Sequence, residues 1–171
     1  IGNSVTTIGD SAFDFNNLNT VTIPNSVTTI GAYAFRANAL TSVTIGNSVE
    51  TIGDSAFSYN NLSSLTIGNS VETIGNEAFW NNTSLTSLTI SDSVTTVGDK
   101  AFGSNTSLTS VAFLGHFGAF NLNMFTGNSN LTTITYVQGK TDWPATFTLG
   151  ASGSVDAIPS TFDQGDLAYL I

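Results

Sequence analysis

Leu18-Asn19-Thr20-Val21-Thr22-Ile23-Pro24-Asn25-Ser26-Val27-Thr28-Thr29-Ile30-Gly31-Ala32-Tyr33-Ala34-Phe35-Arg36-Ala37-Asn38-Ala39 decides the fold, because the chain returns to this pattern every 22 or 23 residues. Val21 and Ile23 alternate with Thr20 and Thr22, the pattern of a half-buried strand rich in β-branched residues. Pro24-Asn25-Ser26 is turn chemistry that ends the strand. Val27 and Ile30 then point inward from a second short extended stretch. Gly31 is expected to turn the next corner with positive φ. Ala34-Phe35 is expected on a brief helical turn, with Phe filling the interior and Ala small enough for close approach. The residue after the glycine is Asp10, Asp54, Asn76 or Asp99 in four coils and Ala32 in the fifth. Such a side chain suits a cap on the backbone N–H groups of that turn.

Working outward, Ala-Phe recurs at Ala12-Phe13, Ala34-Phe35, Ala56-Phe57, Ala78-Phe79 and Ala101-Phe102, and Val, Leu, Ile and Gly columns keep step with it. An Asn column (Asn16, Asn38, Asn60, Asn82, Asn105, Asn128) is placed to satisfy loop backbone groups by stacking coil on coil. The step to 23 residues comes from Asn82-Thr83-Ser84-Leu85, one residue longer than Asn60-Asn61-Leu62. Such self-similarity is the mark of a solenoid, whose coils bury their apolar faces only against one another.

A sixth coil persists in altered form: Phe113, Phe117 and Phe120 replace aliphatic residues, which implies a wider cross-section. The solenoid is expected over 1–136 and a C-terminal cap over 137–171, with Trp143 as a lid on the last coil, since an open solenoid end must be covered. Ile1 occupies the position of Ile23 and Ile45, so the segment reads as starting mid-coil, part of something longer.

Composition narrows function. Only 9% of residues are charged, yet the net charge is −9, because Arg36, Lys100 and Lys140 are the only strong cations. A nucleic-acid binder needs a basic stripe, and so does a protein that docks on anionic lipid. Neither partner fits, and no apolar run suits direct membrane insertion. Without cysteine, folding requires no disulfide. His116 is the sole histidine and reads as a turn residue, so no imidazole pair or thiolate is available for a metal site. No phosphate-binding or nucleophile motif stands out. The residues indicate no enzyme and no cofactor.

The unit Leu-x-x-Val-x-Ile, Pro/Gly-Asn-Ser-Val-x-x-Ile-Gly-x-x-Ala-Phe resembles the BspA-like class of bacterial leucine-rich repeats over about residues 1–136. The resemblance implies a β-rich α/β solenoid, right-handed and curved, with parallel strands on the concave side. It further implies a secreted or surface-attached bacterial protein that binds a protein or glycan on a cell or host surface. The class has no fixed binding residues, so none is transferred.

Candidate sites are ladders. Thr20, Thr22, Ser42, Thr44, Ser64, Thr66, Ser87 and Thr89 form a two-column hydroxyl grid at the ~4.8 Å strand spacing; Thr133 and Thr135 resume it after Ser110 and Ala112. Its plain reading is a soluble strand face, and its functional reading is adhesion or protein interaction. Two alternatives are a spacer without a ligand and ice binding through the Thr-x-Thr ladder, against which the expected curvature and the Ser/Thr mixture count. Phe15, Tyr33, Tyr59 and Trp80 lie off the core columns, as contact anchors or as packing along the coil edge. Glu50 and Glu72 are stacked like charges that a cation could bridge, although two solvated carboxylates are the commoner case. Exposed terminal coils also leave end-to-end self-association open.

Overall fold

The computed structural model describes residues 1–115, 120, 122–137, 146–149, 153–156 and 167–169. His116 and Trp143 lie outside the described residues. Each of the first five coils contributes two short strands. In chain order these are β1 (Thr7–Ile8), β2 (Thr20–Thr22), β3 (Thr29–Ile30), β4 (Ser42–Thr44), β5 (Thr51–Ile52), β6 (Ser64–Thr66), β7 (Thr73–Ile74), β8 (Ser87–Ile90), β9 (Thr96–Val97) and β10 (Ser110–Phe113). A 3₁₀ turn, Leu122–Phe125, precedes β11 (Thr133–Val137), β12 (Thr146–Leu149), β13 (Gly153–Asp156) and β14 (Leu167–Tyr169).

Strands β1, β3, β5, β7 and β9 form, in that order, a parallel five-stranded sheet in which Thr7, Thr29, Thr51, Thr73 and Thr96 are aligned. The longer sheet runs β2-β4-β6-β8-β10-β11 in parallel and is extended by β14, antiparallel to β11. A separate hairpin joins β12 and β13. Register follows the sequence repeat: Thr22 pairs with Thr44, Thr44 with Thr66, and Thr66 with Thr89.

The side of the coil that carries Ala-Phe departs from expectation. Its turns are not helical, and the α component of the expected α/β class is absent from the described coils apart from the 3₁₀ turn. Ser11, Tyr33, Ser55, Glu77 and Lys100 instead take positive φ of 54–59°, as do Phe15, Ala37, Tyr59, Asn81 and Ser104 at 51–59°. The physical gain is a third inter-coil ladder. The Ser11, Phe13 and Phe15 N–H groups donate to the Ala32, Ala34 and Arg36 carbonyls at 2.8–3.0 Å, and later coils repeat this. A helical turn would direct those donors back along its own chain.

Two smaller expectations change with it. The aspartates after the glycine do not cap their own turn: Asp10 Oδ1 accepts from Ala32 N–H at 2.8 Å and Asp54 Oδ1 from Asn76 N–H at 2.7 Å, one coil onward. Gly31 does not adopt positive φ. Its missing side chain matters because a Cβ there would lie 2.5 Å from Asp10 Oδ1.

The core is as the columns require. Phe35, Phe57, Phe79 and Phe102 are fully buried, and successive rings from Phe13 to Phe102 stack nearly parallel, 5.1–5.5 Å apart. The Asn column, buried at Asn60, Asn82, Asn105 and Asn128, lies beside this spine. Asn82 Nδ2 donates to the Phe57 and Phe79 carbonyls, while its Oδ1 accepts from Leu62 N–H. The inserted residue rewires the next steps: Asn82 N–H donates to Asn105 Oδ1 at 2.6 Å, and Asn105 N–H to Asn128 Oδ1 at 2.7 Å.

Candidate hydroxyl face

The grid residues occupy the outward positions of β2, β4, β6 and β8, because the inward positions Val43, Leu65 and Leu88 are drawn into the core. All eight side chains (Thr20, Thr22, Ser42, Thr44, Ser64, Thr66, Ser87, Thr89) are exposed. None of their hydroxyls hydrogen-bonds to another described residue. Hydroxyls flanking the sheet behave differently. Ser63 Oγ donates to the Thr41 carbonyl at 3.3 Å, Thr109 Oγ1 to Thr86 at 3.1 Å and Ser93 Oγ to Val71 at 2.8 Å. The grid is thus a set of free donors and acceptors, flanked by hydroxyls such as Ser63, Ser93 and Thr109 that tie one coil to the next.

Beyond β8 the face changes. Ser110, Ala112 and Thr133 are half-buried, and Thr135 is only 8% exposed. The open part therefore spans the first four strands of the longer sheet. At its N-terminal end it runs into an open cleft of about 750 Å³, lined by Thr22 and Thr44 together with Asn3, Asn25, Ser26 and Asn47. In the sequence Asn25 reads as a turn residue, and nothing there reveals the cleft. The Pro/Gly-Asn-Ser recurrence marks the corner but says nothing of the space beside it. The second sheet also carries free hydroxyls at Thr7, Thr29, Thr51, Thr73 and Thr96, but in a single column whose central three members are half-buried.

The aromatic candidates divide. Phe15, Tyr33 and Tyr59 are exposed, at 73%, 40% and 53%. Arg36 lies over both the Phe15 and Tyr33 rings, 4.8 and 4.7 Å from their centroids. Its guanidinium is held by Asp14 through two hydrogen bonds of 2.9 and 2.7 Å. Those bonds hold the Asp14 carboxyl below its ordinary value and raise Arg36. Trp80 instead packs along the coil edge, half-buried, where any side chain on Gly103 would collide with its ring. Lys100 Nζ stands 5.7 Å from the Trp80 centroid. Glu50 and Glu72 are both exposed, and no cluster of three metal-ligating side chains exists among the described residues.

Comparison with known proteins bears on this geometry. The chain is similar to the pneumococcal vaccine antigen PcpA (27% identity, TM-score 0.55, over 58% of this chain and 25% of that one). It is similar to a leucine-rich repeat protein from Bacteroides ovatus (30%, 0.64, over 76% and 34%). A leucine-rich repeat protein of T. pallidum shares the fold (24%, 0.64, over 76% and 62%). The chain spans less than two thirds of each of these structures. No curated protein sequence matches it. The family model for the BspA type leucine rich repeat region matches residues 6–132 in six copies. The chain, a parallel β-solenoid of about six turns, belongs to the BspA-type leucine-rich-repeat family.

Proposed function

We propose that the chain is a non-enzymatic binding module of a secreted or surface-attached bacterial protein, acting in adhesion through the outer face of β2, β4, β6 and β8. The observation that carries this reading is the eight exposed hydroxyls, in register and without a partner among the described residues. A face that only kept the sheet soluble could turn those groups back onto neighbouring carbonyls, as Ser63 and Thr109 do. The description of PcpA as a vaccine antigen is consistent with such a role. In the same reading residues 137–171 close the end of the array, with β14 covering the edge of β11.

The test is attachment of the purified protein to cells, with Tyr introduced at Thr22, Thr44 and Thr66 together. Bulk on the face should abolish attachment while far-UV circular dichroism stays unchanged. Undiminished attachment by that variant would leave the spacer reading in its place.

A further inference from the structure

Resting on the reading of this face as a binding surface, we infer that its ligand is an uncharged glycan. The glycan is seated in the cleft at Thr22, Thr44, Asn3, Asn25 and Asn47 and runs from there onto the hydroxyl grid. Charge is the first argument. In the strand segments 19–22, 41–44, 63–66 and 86–89 every residue is uncharged. Among the described residues the charges lie elsewhere: Glu50 and Glu72 lead into the second sheet, Asp10, Asp14, Arg36, Asp54, Glu77, Asp99 and Lys100 lie on the side that carries Ala-Phe, and Asp156 ends β13. Asp92 follows β8 at the corner. An acidic chain that keeps one face neutral is suited to a ligand without charge, since an anionic partner meets repulsion and a cationic one finds no counter-ion there.

Residue type is the second argument. Protein interfaces are anchored by Trp, Tyr and Arg, with Ser and Thr under-represented. The grid has none of the former and consists wholly of the latter. Hydroxyl and amide groups are donors and acceptors at once, which matches a ligand whose own surface is hydroxyls. The cleft gives that ligand a starting point. Its volume of about 750 Å³ lies within the ~300–1,000 Å³ of small-molecule sites, and all its lining residues are uncharged. Strand spacing of ~4.8 Å then repeats the same pair of hydroxyls for a polymer to follow.

The experiment measures retention on immobilised mannan, dextran and xylan, with polygalacturonate as the anionic control, from 0.05 to 1 M NaCl. At least one neutral polymer should retain the protein, with affinity changing less than twofold across that salt range. Thr22→Val with Thr44→Val removes two hydroxyls while preserving β-branched shape, and should weaken retention at least tenfold. Thr96→Val on the other sheet should not. Retention by no neutral polymer, binding confined to polygalacturonate, or an unaffected double variant each overturns the inference. Attachment to cells that is lost on tyrosine substitution but not competed by soluble neutral polymer also overturns it, in favour of a protein ligand, and leaves the proposed face intact. Attachment that survives the tyrosine variant removes the face itself.

Discussion

The first four coils and the sixth are built on one plan, yet they solve different packing problems. Between Phe13 and Phe79 the rings stack within 8° of parallel, because each coil presents its neighbour with the same aliphatic columns. Between Phe102 and Phe125 the separation grows to 6.1 Å and the planes open to 27°. Phe113 now occupies an Ile position, stacks on Phe120 and meets Phe125 edge-on at 80°. Aromatic bulk thus replaces repetition as the means of filling space. The outer face changes at the same point, from eight exposed hydroxyls to the half-buried Ser110, Ala112 and Thr133. Regularity inside and availability outside end together. A ladder remains a usable surface only where successive coils are close to identical.

The largest effect should come from breaking the regular spine. Phe57→Ala removes a fully buried ring stacked on both sides and should cost about 3–5 kcal/mol, read as a fall in the urea midpoint. The gentler Phe57→Leu should cost more than Phe125→Leu, because at Phe125 the stack is already opened. Equal losses would mean that parallel stacking contributes nothing beyond volume.

The Asn column offers the next comparison. Asn82→Ala leaves the buried Leu62 N–H without its acceptor and takes one of two donors from the Phe57 and Phe79 carbonyls, which keep Asn60 and Asn105; with ~1–3 kcal/mol for a buried polar group left bare, a loss of about 1–3 kcal/mol is expected. Asn16 belongs to the same column but is exposed and donates only to the Asp14 carbonyl within its own coil. Asn16→Ala should change the unfolding free energy by less than ~0.5 kcal/mol. A comparable loss at both positions would show that the column acts through the local turn rather than by linking coils.

A smaller effect, of opposite sign, tests the left-handed positions. The sixth coil has Gly127 with φ of 83° where earlier coils have Ala37 at 52° and Ser104 at 54°. Positive φ costs a residue with a Cβ ~1 kcal/mol or more, and glycine almost nothing. Ala37→Gly should therefore raise stability by about 1 kcal/mol in urea unfolding, despite glycine's larger unfolded-state entropy. Gly127→Ala should lower it by a similar amount. A destabilising Ala37→Gly would show that the ladder from Ala37 N–H to Ser58 relieves the strain completely.

These positions also show where the sequence stops being informative. Columns of Val, Ile, Leu, Phe and Asn were legible because each reports burial, and burial repeats with the coil. The positive-φ positions were not, since they carry Ser, Tyr, Glu, Lys, Phe, Ala and Asn, a set chosen by solvent rather than by φ. Backbone conformation there is imposed by the inter-coil ladder, and only the glycine of the sixth coil betrays it. The same limit applies to the face. Alternation located the eight hydroxyls, but their lack of partners depends on whether a neighbouring carbonyl lies within reach. Arg36, noted only as a rare cation, turned out to unite Asp14, Phe15 and Tyr33 because those residues come from two successive coils.

That cluster supplies the smallest expected effect and a last contrast along the coil edge. Arg36 and Asp14 meet through two hydrogen bonds, whereas Glu77 and Lys100 approach only to 4.0 Å with both side chains open to solvent. The Asp14 carboxyl titrates below its ordinary 3.8 when folded. The unfolded chain therefore binds its proton first as pH falls. The stabilisation from this pair is present above the unfolded value and is lost as pH drops through the lower, folded value. Asp14→Asn should accordingly flatten the decline of the urea midpoint between neutral pH and pH ~2 relative to the wild type, while Glu77→Gln, which removes only a solvent-screened contact, should leave the midpoint at neutral pH unaltered. In Asp14→Asn the arginine keeps its place over Phe15 and Tyr33, so the difference between the two profiles reports the carboxylate alone. Superimposable profiles for the wild type and Asp14→Asn would mean that stacking of Arg36 on its two rings, rather than its charge pair, fixes this corner of the coil.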